Sequence, residues 1–158
     1  MIPLKINNKH LYEIFDPDTF DSSWTEQQII NNSIAKCMFP SEVRLTAEQF
    51  SEDAERTANY ELEILKVVNC KAKPEFTWSL LRADYVQKLL EFLEYKYNYK
   101  NAQGIIEAID APHVFVTYRD FTGMRTIDTY LGQTLDGTLV EHDGVLYWEN
   151  FRIAFPER

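Results

Sequence analysis

Two strand-like runs, "HVFVTYRDF" (113–121) and "MRTIDTYLGQT" (124–134), stand on either side of Thr122-Gly123. Side chains along a strand point alternately to opposite faces, and a glycine between two such runs supplies the left-handed or bulged residue of a hairpin. Val114, Val116 and Tyr118 then share one face, with Phe115, Thr117 and Arg119 on the other. The same period recurs in "NYELEILKVV" (59–68), where Tyr60, Leu62 and Ile64 oppose Glu61 and Glu63. It recurs again in "VLYWENFRIAFPE" (145–157), where Tyr147, Glu149, Phe151, Ile153 and Phe155 oppose Trp148, Asn150, Arg152 and Ala154 until Pro156 ends the run. "KPEFTWS" (73–79) reads as a further strand, and "PLKINNKHLYEIF" (3–15) as a first strand or hairpin around Asn7-Asn8, a pair that tolerates positive φ.

Only one segment has a clear helical period. In "LLRADYVQKLLEFLEYKY" (80–97) Val86, Leu89, Leu90, Leu93 and Tyr97 fall on one stripe, with Asp84 placed to meet the positive end of the helix dipole. The elements predict a single α+β domain over residues 1–158: mainly antiparallel, a β-sandwich or open β-barrel with one packed α-helix. Residues 16–59 stand apart as a long irregular arm or loop insertion, rich in turn formers ("DPDTFDSS", "NNS", "FPSE") yet carrying Phe20, Trp24, Phe39 and Phe50. A short helix near residues 47–56 is expected inside it, since Thr46 and Gln49 have capping-box spacing.

Chemistry is harder to find. Tyr118, Arg119, Asp120 and Arg125 are dense enough to resemble a site, but Arg119 and Asp120 are consecutive and point to opposite faces of a strand. Arg125 lies across the hairpin from Asp120, which predicts a cross-strand ion pair. The chain holds no GxSxG, Walker loop, GxGxxG or HExxH motif, and among 25 acidic residues a pair of carboxylates carries no information. Cys37 and Cys70 have neither zinc-site nor disulfide-framework spacing and read as buried free thiols; His10, His113 and His142 are scattered, and "EHDG" (141–144) reads as a solvated turn. No cofactor and no metal is expected. Tyr95, Tyr97 and Tyr99 alternate like a stacking ladder but follow a helix, and read first as core or interface aromatics.

A net charge of −9 repels phosphate backbones, so nucleic-acid binding is not expected. No apolar run approaches the roughly 20 residues that span a bilayer, and "MIPLKINNKH" lacks the pattern of a signal peptide, so synthesis in the cytoplasm without membrane insertion is expected.

The order of these features resembles small tail proteins of bacteriophages and prophages of low-GC Gram-positive hosts, of the tail-tube or distal-tail kind. The resemblance runs through "LKINN", the long polar segment, "FTW", "LLEFLEY", "VFVTYRDFTGMRTIDTYLG" and "YWENFRIAFPE". It implies a non-enzymatic virion protein whose copies pair strands and exchange loops to build a ring or tube, in contact with other tail proteins, assembled in the host cytoplasm. On that reading Phe20, Trp24, Phe39 and Phe50 are the subunit-interface anchors. Two other classes remain open: a carbohydrate- or host-surface-binding module using Tyr118, Tyr147 and Trp148, and an enzyme of an unrecognised α+β family.

Overall fold

The structure is a computed structural model that describes residues 2–49, 70–93, 113–132 and 135–158. In chain order the elements are β1 (Lys5–Ile6), β2 (Lys9–His10), α1 (Leu11–Phe15), α2 (Glu26–Ala35), β3 (Glu42–Gln49) and β4 (Cys70–Arg82). They continue with α3 (Ala83–Phe92), β5 (Val114–Asp120), β6 (Gly123–Thr129), β7 (Asp136–His142) and β8 (Val145–Ala154). The strand expected at 59–68, Phe50 and the tyrosines at 95, 97 and 99 lie outside the described residues.

Turn chemistry sets the hairpins. Asn7 and Asn8 at φ 51° and 61° join β1 to β2, Gly123 at φ 126° opens β6 after β5, and Asp143 and Gly144 at φ 52° and 80° join β7 to β8. Paired left-handed residues match the right-handed twist of the strands they connect, which is why Asn-Asn and Asp-Gly stand there. Among the described residues the strands form two four-stranded antiparallel sheets, β2-β1-β5-β6 and β3-β4-β8-β7, with no closed barrel: of the sandwich or open barrel expected from the sequence, an α+β sandwich.

The inner faces meet through Ile6, Val114, Val116, Tyr118 and Ile127 on one side and Phe76, Trp78, Phe151, Ile153 and Phe155 on the other, each at most 3% exposed. Phe76 meets Tyr118 edge-on across the gap, with ring centroids 6.0 Å apart. α1 and α3 also join this core: Phe15 stacks on Tyr85 at 5.6 Å and stands edge-on to Trp78, whose indole N–H donates to the Met38 carbonyl at 2.7 Å. Fully burying side chains of this size contributes about 1.5–3 kcal/mol each. Val86, Leu89 and Leu93 are buried as their stripe predicts, whereas Leu90 is only partly buried against the core and Tyr85 is buried. Leu80, Leu81 and Arg82, read as helix, are the last residues of β4, so the helix starts three residues later.

Two irregularities shape the sheets. Asn150 adopts φ 54°, and the β7–β8 register slips by one residue between the Asp136–Arg152 and Thr138–Glu149 pairs. At this bulge the inner face of β8 passes from the odd residues Phe151 and Ile153 to Trp148, and that of β4 from Phe76 and Trp78 to Leu81, which pairs with Trp148. The expectation that Tyr147 and Glu149 share a face with Phe151 is thus overturned, because a bulge changes the parity that alternation assumes.

The second irregularity is a change of sheet. β6 pairs with β5 and then, over residues 128–132, with the C-terminal residues: Tyr130 N–H donates to Pro156 O, Gly132 N–H to Ala154 O and Arg158 N–H to Asp128 O. On their other side those same residues continue the β4 ladder, with Phe155 N–H donating to Pro74 O and Glu157 N–H to Ala72 O. The sandwich is therefore stitched along one edge, as at the corner of a roll. Gly132 sits at the crossing, where a Cβ would lie 2.9 Å from the Ala154 carbonyl oxygen.

Of the segment 16–59, the described residues, 16–49, hold more regular structure than their turn formers indicate. Thr25 and Gln28 make a reciprocal capping box that starts α2. Its end is a Schellman motif, with Met38 N–H donating to Ser33 O at 3.0 Å and Cys37 N–H to Ile34 O at 3.1 Å, and Cys37 occupies the left-handed position at φ 54°. Cys37 is exposed, contrary to the expected burial, because a residue just past a helix end turns outward. β3 follows, paired with β4 from Glu42–Thr77 to Gln49–Cys70. The helix expected from Ala47 is thus a strand as far as Gln49; long-range pairing overrides a local capping signal. α1 and α2 were not read from the sequence; with α3 they make three helices among the described residues.

Candidate interaction surface

The polar residues that first drew attention form a brace. Asp120 Oδ1 accepts from both the Thr122 N–H and its hydroxyl at 2.7 Å, closing the β5–β6 turn, and those bonds, the side-chain one foremost, hold its carboxyl below the usual carboxylate value. Arg125 lies 3.5 Å from Asp120, the expected cross-strand pair, and 3.4 Å from Glu157. Glu157 in turn accepts from the Ala72 N–H at 2.7 Å, so the cluster ties the hairpin to the stitched edge of the sandwich. Tyr118 is fully buried, its hydroxyl has no hydrogen-bond partner among the described residues, and burial pushes its ionisation up. It offers no face to a sugar. Tyr147 pairs with Arg82 and Trp148 with Leu81, on opposite faces, so the three aromatics named for a carbohydrate surface do not come together.

Phe20 and Trp24, expected as anchors for a neighbour, form a three-ring cluster with Tyr12, with centroids 5.2–6.2 Å apart, and are partly buried on their own core. Phe39 is 4% exposed inside that core.

Among the described residues, Ile34 on α2 and Leu80 near the end of β4 are open to solvent, and the other exposed large apolar side chains gather in two places. On the outer face of β5 and β6, Phe115 (47% exposed), Met124 (62%) and, at the turn, Phe121 (83%) run along the hairpin with the bonded Thr117–Thr126 pair between. Arg119 pairs in register with Met124, and His113 stacks on Phe115 with its Nδ1 2.9 Å from Asp128. Beside this stripe Asn7, Asn8, His113, Phe115, Thr117 and Thr126 line a depression of about 500 Å³.

The second place is the β7–β8 hairpin. Leu139 pairs with Trp148, which pairs with the buried Leu81, so this face continues the core. Past Trp148 the core stops, but the apolar face goes on: Leu139 is 50% exposed and Leu146 is 48% exposed, the latter opposite Glu141. Sequence reasoning set Phe115 on the face away from Val114, Val116 and Tyr118 without naming it as a surface, and read no strand over Asp136–His142, so Leu139 went unplaced. The available signal was Phe121 and Met124 flanking a turn glycine, where alternation assigns polar residues.

Among the described residues, no group of three His, Cys, Asp or Glu side chains is arranged to hold a metal ion, and no helix is long and apolar enough to cross a membrane. What fold and surface define is an α+β sandwich with two solvent-open apolar hairpins. No family model, no curated protein and no solved structure matches the chain.

Proposed function

We propose that this chain is a structural subunit that self-assembles into a ring or tube of a bacteriophage or phage-derived tail, without enzymatic activity. The observation that carries the reading is the β7–β8 hairpin, whose core-side face runs on past the core with Leu139 and Leu146 uncovered. An apolar face continuous with a core is what a subunit presents to a neighbour. Among the described residues, the outer strands of the second sheet, β3 and β7, also have one side each without a strand neighbour, which suits pairing between copies. The resemblance of the order of sequence features to tail-tube and distal-tail proteins supplies the setting: a virion, other tail proteins as neighbours, and assembly in the host cytoplasm. The net charge of −9 suits a wall past which DNA moves without adhering.

The test is the assembly state of the purified chain, followed by light scattering over a concentration series and by negative-stain microscopy. Rings or tubes that grow with concentration are expected. A monomer at every concentration refutes the reading.

A further inference from the structure

The geometry points to a specific head-to-tail contact between copies: the β5–β6 hairpin tip of one copy seated on the core-side face of the next copy's β7–β8 hairpin, with Arg119 meeting Glu141. This rests on the self-assembly reading and gives it an interface.

Three observations carry it. The first is charge. Among the described residues neither the Arg119 nor the Glu141 side chain has an ion-pair or hydrogen-bond partner, whereas the charges beside Arg119, those of Asp120, Arg125 and Asp128, are paired. Each stands directly opposite an exposed apolar residue across its own hairpin: Arg119 opposite Met124, Glu141 opposite Leu146. One hairpin therefore offers an unpaired cation beside an apolar surface, and the other an unpaired anion beside one. A single contact matches both pairs.

The second is area. Taking about 200 Å² for a phenylalanine, Phe121 at 83% and Phe115 at 47% exposure offer roughly 260 Å² of apolar surface. A standard interface takes ~800 Å² from each partner, a little over half of it apolar, so these two rings supply more than half of the apolar share. Met124 on one hairpin and Leu139 and Leu146 on the other continue the match.

The third is placement. β6 and β7 are successive strands, and the chain runs from the β5–β6 turn at Phe121 and Thr122 to the β7–β8 turn at Asp143 and Gly144. The two tips thus lie at opposite ends of that run, in different sheets. Two different patches that complement each other make a heterologous contact, which repeats from copy to copy and closes into a ring or extends as a tube.

Charge reversal tests the contact. Arg119→Glu sets two carboxylates against each other at every contact, and Glu141→Arg sets two guanidinium groups there. Each variant alone should shift the assembly midpoint to at least about tenfold higher concentration, because like charges replace a pair. An equimolar mixture should assemble again, since alternating copies restore an opposite pair at every contact. Recovery on mixing also proves that both variants are folded; circular dichroism and melting curves give the same check on each alone. Phe121→Ser, which carries no charge change, should weaken assembly without rescue by either variant. If wild-type chains form rings and the reversed variants do so equally well, or the mixture stays apart, the contact is wrong while self-assembly stands. If wild-type chains never associate, self-assembly itself fails, and the contact with it.

Discussion

Replacing Tyr118 by Phe should make the protein more stable, the reverse of the usual effect of changing a fully buried aromatic. Tyr118 has no exposed surface and its hydroxyl lacks a hydrogen-bond partner among the described residues. Burying a hydroxyl without a partner costs about 1–3 kcal/mol. The ring, and with it the edge-on contact to Phe76 at 6.0 Å, is kept. Loss of one oxygen leaves a void of ~10–15 Å³, which at about 24 cal/mol per Å³ returns some 0.3 kcal/mol. The balance is a gain of about 1–2 kcal/mol, or about 3–6 °C in Tm for a chain of this length. Urea unfolding should show a higher midpoint at unchanged slope. The same change should alter the alkaline limb. Burial raises the folded-state pKa of Tyr118, so its contribution is complete below the unfolded value near 10 and is lost as pH rises through the folded value. Tyr118→Phe should remove that share of the loss, leaving the one from Tyr85, whose ionisation burial also raises. A variant less stable than wild type by more than about 0.5 kcal/mol would refute the reasoning, because it would mean that the hydroxyl is hydrogen-bonded in solution.

Cys37→Gly should stabilise by about 0.5–1 kcal/mol, read as a rise in Tm, because glycine adopts the left-handed helix-end position without a Cβ penalty. Gly132→Ala should destabilise by about 1–3 kcal/mol in urea unfolding, since its Cβ would meet the Ala154 carbonyl at 2.9 Å where two sheets join. Leu89→Ala should cost about 2–5 kcal/mol and Leu90→Ala less than half of that by the same measurement, since only Leu89 is fully buried.

Strands and turns were legible where local chemistry decides them. Asn7-Asn8 and Asp143-Gly144 announce turns, and the β5–β6 alternation sorts Val114, Val116 and Tyr118 from Phe115, Thr117 and Arg119 as the structure does. Failure came where a distant partner decides. Asn150 changes the parity of β8 because of its pairing with β7, and nothing in "YWENFRI" marks it. α2 buries only Ile29 and Ser33, so it has almost no apolar stripe to read, although Thr25 and Gln28 carried its start signal in plain sight. β3 pairs along β4, against which the spacing of Thr46 and Gln49 had no weight. The surface was least legible. Phe39 and Phe121 are the same residue type in similarly polar surroundings, and only the packed structure tells that one is covered and the other open.

The stitched edge bears on the order in which the molecule becomes complete. Residues 154–158 bond at once to residues 72–74 and 128–132, so the seam between the sheets joins stretches more than eighty residues apart in the case of Ala72 and Glu157. Closing such long loops is slow, and until it happens the flanks of β4 and β6 are raw strand edges. A nascent copy therefore cannot shield those edges until Glu157 has been made. On the self-assembly proposal, association through the hairpins before that closure would compete with it, so the bonding of residues 154–158 would set the order of folding and assembly.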